Sequence, residues 1–287
     1  MPNKISRRKF LKYAAGGVLG AGAIGLGGTA YSTQIEPDAV ETTHITIPLA
    51  HLPAAFDGMT IVQISDWHLG EWMTLKRILV VAQQTNDLKP DVILITGDFL
   101  SMTWDDTYDE VTAANKALTA PEGIYATFGN HDHWTSAKNA KEAVDAAGTT
   151  QLLLNAHVAI QRGSDTLYIA GVDDIWEKKN DLSKALDGIP SDATVILMAH
   201  EPDYADEVAQ TKRVGLQLSG HSHGGQVRLP FKGALVLPFM GEKYDMGLYN
   251  VNGMALYVNR GLGMVEPYVR FGCRPEITHF TLRAAIA

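Results

Sequence analysis

A chain of 287 residues that is 46% hydrophobic and 20% charged can bury one large core, which excludes a disordered, collagen-like or multi-span membrane protein. Its one cysteine, Cys273, excludes an intramolecular disulfide framework and any multi-cysteine zinc site. The first 30 residues hold five bases and no acid, which leaves the remainder with 19 bases, 32 acids and a balance of −13; a surface that acidic repels a polyphosphate backbone and argues against nucleic-acid binding.

The chain opens with Ser6-Arg7-Arg8-Lys9-Phe10-Leu11-Lys12, followed by 23 residues, Tyr13 to Ile35, without a formal charge. A basic head, a soft apolar middle and small residues at Gly28-Thr29-Ala30 follow the plan of an export signal. The adjacent arginines and the Lys-Phe-Leu-Lys after them resemble the twin-arginine signal, so residues 1–30 are expected to engage the twin-arginine translocase. Residues 13–35 are also long enough to span a bilayer with some tilt, and an uncleaved signal would be a membrane tether. Seven glycines in that stretch weaken a permanent helix and favour cleavage. Either way the rest is expected to be exported, to the periplasm or another extracytoplasmic site. That route carries folded, often metal-loaded proteins, so the cytoplasmic metal pool would decide which ion is bound.

Residues 31–57 read as an extended connector with a short strand at His44–Ile47, and residues 58–287 as the working domain. Short Val/Ile/Leu-rich runs at Ile61–Ile64, Val92–Ile95, Ile124–Phe128, Leu167–Ala170, Val195–Met198 and Leu216–Leu218 have no polar face, as strands covered on both sides require. Helical spacing is predicted between them, from Thr74 to Pro90 and over Tyr108–Leu118, Ser136–Ala147, Asp181–Leu186 and Tyr204–Ala209. After residue 224 that period disappears. Runs at Ala234–Leu237, Gly247–Val251, Ala255–Val258 and Ile277–Leu282 suggest a second, largely antiparallel sheet. The fold class expected is α/β, a four-layer α-β-β-α sandwich of two mixed β-sheets packed face to face with helices outside.

Five of the buried runs end in polar clusters: Ser65-Asp66-Trp67-His68, Thr96-Gly97-Asp98, Gly129-Asn130-His131-Asp132, Ala199-His200 and Ser219-Gly220-His221-Ser222-His223. Ligands of an open α/β sheet bind beyond the carboxyl ends of its strands, so these side chains are predicted to converge. No serine sits on a tight elbow for a nucleophile triad. Imidazole, carboxylate and amide donors suit metals instead, and seven of them suit two ions sharing a carboxylate better than one tetrahedral ion.

In that order the five segments resemble the calcineurin-like metallophosphoesterases, whose signature runs D-x-H, G-D, G-N-H-D/E, a lone His and G-H-x-H. The likeness spans roughly residues 58–283. Gly224-Gly225-Gln226 and Asn259-Arg260-Gly261-Leu262-Gly263 resemble the exported or membrane-tethered phosphohydrolases of that family. The resemblance implies two divalent ions, among Mn, Zn and Fe. Asp66, His68 and His223 would hold one, Asn130, His200 and His221 the other, and Asp98 would bridge them. It further implies His131 as proton donor to the leaving oxygen, with Asp132 orienting it. Two ions about 3.5–4 Å apart clamp an in-line displacement and acidify a bridging water, so the expected activity is hydrolysis of a phosphoester by a metal-bridging hydroxide. His131 would help a poor leaving group, which leans the expectation towards phosphodiesters. The substrate expected is an envelope lipid headgroup or a nucleotide.

Two alternatives stay open: a non-catalytic metal-binding module on the same fold, and a UDP-diacyl sugar pyrophosphate hydrolase of lipid A type. The first usually lacks ligands, and none is missing here; the second acts on a cytoplasmic nucleotide sugar, which the export signal opposes. His44, His51, His157 and His279 read as structural, His133 as structural or surface, and Trp67 as packing the site floor. Arg228, Arg260, Arg270 and Arg274 would either clamp a second phosphate or headgroup or be solvated or salt-bridged. Cys273 reads as a small buried apolar residue.

Overall fold

The computed structural model describes residues 27–101 and 107–285 of the chain. Apolar side chains on both faces of a strand need cover on both sides, and two stacked sheets between two helical layers supply it. The first sheet runs in the order β1 (Glu41–Leu49), β14 (Glu276–Ala284), β2 (Thr60–Ile64), β3 (Val92–Thr96), β4 (Ile124–Thr127), β5 (Thr150–Leu152). The second runs β12 (Gly247–Val251), β13 (Met254–Val258), β9 (Leu216–Ser219), β8 (Val195–Met198), β7 (Asp165–Gly171), β6 (Ala156–Arg162). A small hairpin, β10 (Arg228–Leu229) and β11 (Gly233–Ala234), stands apart from both.

The two-residue period of each strand decides which layer a side chain enters. Val92 and Leu94 of β3 meet Ile196 and Met198 of β8 in the core between the sheets. Ile93 and Ile95 face the other way, onto α1 (Leu75–Asp87), α2 (Tyr108–Lys116) and α3 (Asn130–Ala147), where Val81, Val111 and Val144 are buried against them. On the far side, Val195 and Leu197 pack with Ala185 of α4 (Leu182–Ala185) and with Ala205 and Val208 of α5 (Ala205–Gln210). The expected sandwich of two mixed sheets with helices outside is therefore the fold.

Several elements differ from the expectation. The second sheet is not largely antiparallel: β7, β8, β9 and β13 run parallel, and only its edge strands β6 and β12 are antiparallel. The reason is that β13 returns beside β9 through a long excursion rather than a hairpin, while β14 leaves for the first sheet, between β1 and β2. Of the run at 234–237 only Ala234 is in a strand, and Leu235 and Val236 turn out to solvent. Strand β1 is longer than His44–Ile47 and pairs in parallel with β14 along its whole length. The helix expected from Ser136 is the second part of α3. Ser136 itself is extended (φ −173°, ψ 97°), and its Oγ accepts from Asn139 N (3.3 Å) to start the second part.

Among the described residues no helix is long and apolar enough to cross a membrane. The arginine motif at residues 6–12 and most of the 13–35 stretch lie outside the described residues.

Candidate metal centre

The ends of β2, β3, β4, β8 and β9 point to one place, and each delivers its polar cluster there. The intervening backbone is tightly wound. Asp66, His68, Asp98, His221 and His223, five of the seven expected ligands, have φ between 47° and 68°. Non-glycine residues adopt that left-handed conformation rarely and at a cost of about 1–3 kcal/mol each where the strain is not relieved locally, and such residues cluster at functional sites. The motif glycines are there for space. A Cβ on Gly97 would lie 2.7 Å from His200 Nδ1, one on Gly129 would strike Asp98 Oδ1, and one on Gly220 would strike Ser65 Oγ and Asp66 Oδ2.

Donor atoms converge in three overlapping groups: Asp66, His68 and His223; Asp66, Asp98 and His200; His68, Asp98 and His131. Asp98 is central, with Oδ2 lying 3.4 Å from His68 Nε2 and 3.1 Å from His200 Nε2. Asp66 Oδ1 is 3.4 Å from His223 Nε2 and accepts from His221 N at 3.0 Å. His68 Nε2 faces His223 Nε2 at 3.0 Å. The His221 ring lies 5.1 Å from that of His200, and Asn130 and His221 line the same cavity as Asp98 and His223. All seven expected ligands are buried.

These side chains fit metal ions. Among the described residues Asn130 Oδ1 and His200 Nε2 are buried without a hydrogen-bond partner, which is costly for any polar atom that lacks another role. His200 Nδ1 donates to Thr96 O (2.6 Å) and His221 Nε2 to Phe239 O (2.8 Å), leaving the other nitrogen of each ring with its lone pair for a cation. Burial pushes His68 and His221 down to about 3 and His223 well below its ordinary value, so all three stay neutral, as ligands must. Burial works against charge on both Asp98 and His200, but their mutual attraction outweighs it, holding the carboxylate well below and the imidazole well above its usual range, so a bound cation would take the place of the His200 Nε2 proton. Two buried carboxylates, one amide and four imidazoles form a donor set for divalent cations of intermediate hardness.

His131 stands at the rim. Its ring meets His68 edge-on at 4.6 Å, its backbone N donates to Asp98 Oδ1 (2.9 Å), and its Nδ1 has no partner among the described residues. Asp132 does not orient it, contrary to the expectation. Successive residues of a helix diverge by about 100°, and Asp132 points the other way. Its Oδ2 accepts from Asp98 N and Gly129 N (both 3.0 Å), its Oδ1 from Phe99 N (2.9 Å) and Leu100 N (3.2 Å). Asp132 thus caps α3 and ties that helix to the turn that carries Asp98.

Other residues fall on the structural side. His133 Nε2 bonds Asp173 Oδ1 at 2.7 Å, and buried Trp67 packs edge-on against Phe99. His44, His51, His157 and His279 do not line the cavity. Arg228 pairs with Asp245, and Arg260 with Glu276 and Glu41. Arg270, fully buried, was not foreseen as a scaffold: it donates to the carbonyls of Arg260, Gly261, Gly263 and Cys273. That loop in turn backs the first ligand, since Leu262 N donates to Ser65 O (3.0 Å) and Gly263 N to Asp66 O (2.7 Å). Buried Cys273 donates its backbone N to Glu36 Oε1 (2.6 Å), so the segment before β1 also braces the site. No sequence pattern marks Arg270 or Glu36, because each acts through backbone groups far along the chain.

Comparison with known proteins agrees with this geometry. A family model for calcineurin-like phosphoesterases matches residues 59–225. Over 98% of its length the chain is 38% identical to the metallophosphoesterase YkuE of Bacillus subtilis, covering 99% of that protein. It is 27% identical to phosphodiesterase YaeI of Escherichia coli, over 97% of this chain and 99% of the other. It is 28% identical to the UDP-2,3-diacylglucosamine pyrophosphatase LpxG of Chlamydia trachomatis, over 86% and 90% respectively.

Proposed function

The chain belongs to the calcineurin-like phosphoesterase family and is a metal-dependent hydrolase of phosphoesters, and from that premise we propose a binuclear phosphodiesterase that works outside the cytoplasm. Asp66, His68 and His223 would hold one divalent ion, Asn130, His200 and His221 the other, and Asp98 would be shared; Mn, Zn and Fe all suit these donors. When bound, the ions supply charge against the phosphoryl oxygens and lower the pKa of water. His131 gives its proton to the leaving oxygen as the P–O bond to that group breaks and the bond from water to phosphorus forms. Asp132 keeps the Asp98 turn in place throughout.

One observation carries the reading: a single buried carboxylate, Asp98, within 3.4 Å of imidazoles from both expected sets. The likeness to YaeI favours a diester. The likeness to LpxG favours a second reading, cleavage of a pyrophosphate in a lipid-linked nucleotide sugar; the commitment of Arg228, Arg260 and Arg270 to other partners counts against it. The twin-arginine motif at residues 6–12 supports export through the translocase, with residues 13–35 as signal or tether. The test is hydrolysis of bis(p-nitrophenyl) phosphate by the full chain with Mn²⁺ or Zn²⁺, together with elemental analysis of bound metal. Two ions per chain and activity lost in Asp98→Ala are expected; an unchanged rate in that variant would overturn the reading.

A further inference from the structure

The cavity of about 480 Å³ over the ligands has two unlike surfaces. Asp98, Asn130, His221 and His223 form its floor, whereas Trp134, Trp176, Val236, Leu237, Pro238 and Val265 make a wall of carbon. Two polar side chains within that wall are taken, and exposed Glu266, between Val265 and Pro267, is the wall's one charged residue. Gln226 exchanges bonds with Val265 (Nε2 to O at 3.1 Å, N to Oε1 at 2.8 Å), and Ser222 Oγ donates to Asp245 O (2.6 Å). No lysine or arginine is among the described residues that line it. A sugar, a base or a second phosphate would find little to bond there; an aliphatic chain would find continuous apolar surface.

The wall continues out of the cavity. Leu229, Phe231, Leu235, Val236 and Phe239 are all exposed, on the β10–β11 hairpin and the segment after it. An exposed apolar group of this size beside a site marks contact with another apolar phase. Phe231 at the tip is fully exposed and has φ +66°, a strained conformation for a bulky residue that no packing offsets.

The hairpin also lies where the N-terminal segment joins the fold. Arg228 N donates to Phe271 O (2.7 Å), Phe271 meets Tyr31 edge-on at 6.3 Å, and Tyr31, Leu229 and Pro230 line one depression. The uncharged stretch of residues 13–35 therefore passes beside the exposed patch at Tyr31.

We propose that residues 228–239 rest in a lipid surface and that the carbon wall receives the aliphatic part of an amphiphilic phosphoester drawn from it. This rests on the phosphoesterase reading and narrows its substrate to a single phosphoester that bears an alkyl or acyl chain. Insertion is apolar rather than electrostatic, since Lys232 is the one charged residue from 229 to 239. Each methylene taken up favours binding by about fourfold.

Two measurements on the full chain test it. In the first, Mn²⁺-loaded protein hydrolyses methyl and dodecyl p-nitrophenyl phosphate below micellar concentration. A kcat/KM ratio of at least about 50 in favour of dodecyl is expected from partial burial of the chain, falling several-fold in Val236→Asp; equal values for the two esters would overturn the wall assignment. In the second, a fluorescent thiol label is placed at Phe231→Cys or, as control, at exposed Lys138→Cys, buried Cys273 being spared. In phosphatidylcholine vesicles the label at 231 is expected to shift blue and to be quenched by nitroxide-bearing lipid, while that at 138 is not. Equal behaviour of the two labels would overturn the docking. If neither ester is cleaved, the phosphoesterase reading has failed, and the label depths still decide the lipid contact.

Discussion

At and beneath the floor of the cavity the backbone is wound into left-handed turns at five expected ligands, Gly129 and Gly220 leave no room for a methyl group, and Asp132 gathers four backbone N–H groups. On the wall, Leu235, Val236 and Phe239 face solvent and are shaped by a few turn bonds, such as Leu235 N to Val227 O at 3.0 Å. The floor must hold donor atoms to fractions of an ångström, so it stores strain and fastens every turn. The wall needs only apolar area, which is non-directional. Substitutions should therefore be severe below and mild above.

The sharpest test of that contrast is Asp98→Ala, expected to lower kcat/KM by at least about 10³-fold, with bound metal lost in elemental analysis. Asp132→Asn keeps the size of the side chain but turns one acceptor into a donor facing backbone N–H groups. Its expected effect is a 10- to 100-fold fall in metal affinity, about what second-sphere changes produce, followed by titration with Mn²⁺. Gly220→Ala forces Asp66 aside and should cost about 1–3 kcal/mol in urea unfolding, whereas Val236→Ala on the wall should stay within about 0.5 kcal/mol. A wall variant as damaging as the floor variant would break the comparison.

An effect between those of the floor and the wall is expected at the border, where His133 ties the first turns of α3 to Asp173. The hydrogen bond that His133 donates to the Asp173 carboxylate raises the His133 pKa in the fold. The pair then stabilises most fully below the unfolded value of about 6.5, and its contribution fades as pH rises through the elevated folded value. With both side chains mostly shielded from solvent, about 0.5–1 kcal/mol is expected, measured by denaturant unfolding between pH 5 and 9 and flattened in Asp173→Asn.

The floor was legible before the structure because strand termini are local: an apolar run followed by Asp, His or Asn locates both the strand end and the donor. The unbroken apolar runs Val92–Ile95 and Val195–Met198 likewise placed those strands in a double-covered sheet. What sequence could not show lies in pairings between distant segments. Insertion of β14 between β1 and β2 has no local signature. The roles of Asp132 and Arg270 were open to misreading because residue type names the charge, not its partner. Asp132 is adjacent to His131 in the chain but turned away from it on the helix, and Arg270 spends its donors on carbonyls instead of an anion. The wall was invisible for a simpler reason. Apart from the two-residue strands β10 and β11, residues 226–240 and 265–269 are irregular, and no period links their apolar side chains into one surface.

Strand β14 has a further consequence for timing. Because it lies between β1 and β2, the sheet that positions Asp66 and Asp98 cannot close until residues 276–284 have left the ribosome. A chain cut before residue 276 would carry all seven expected donors without the strand that completes the frame gathering them.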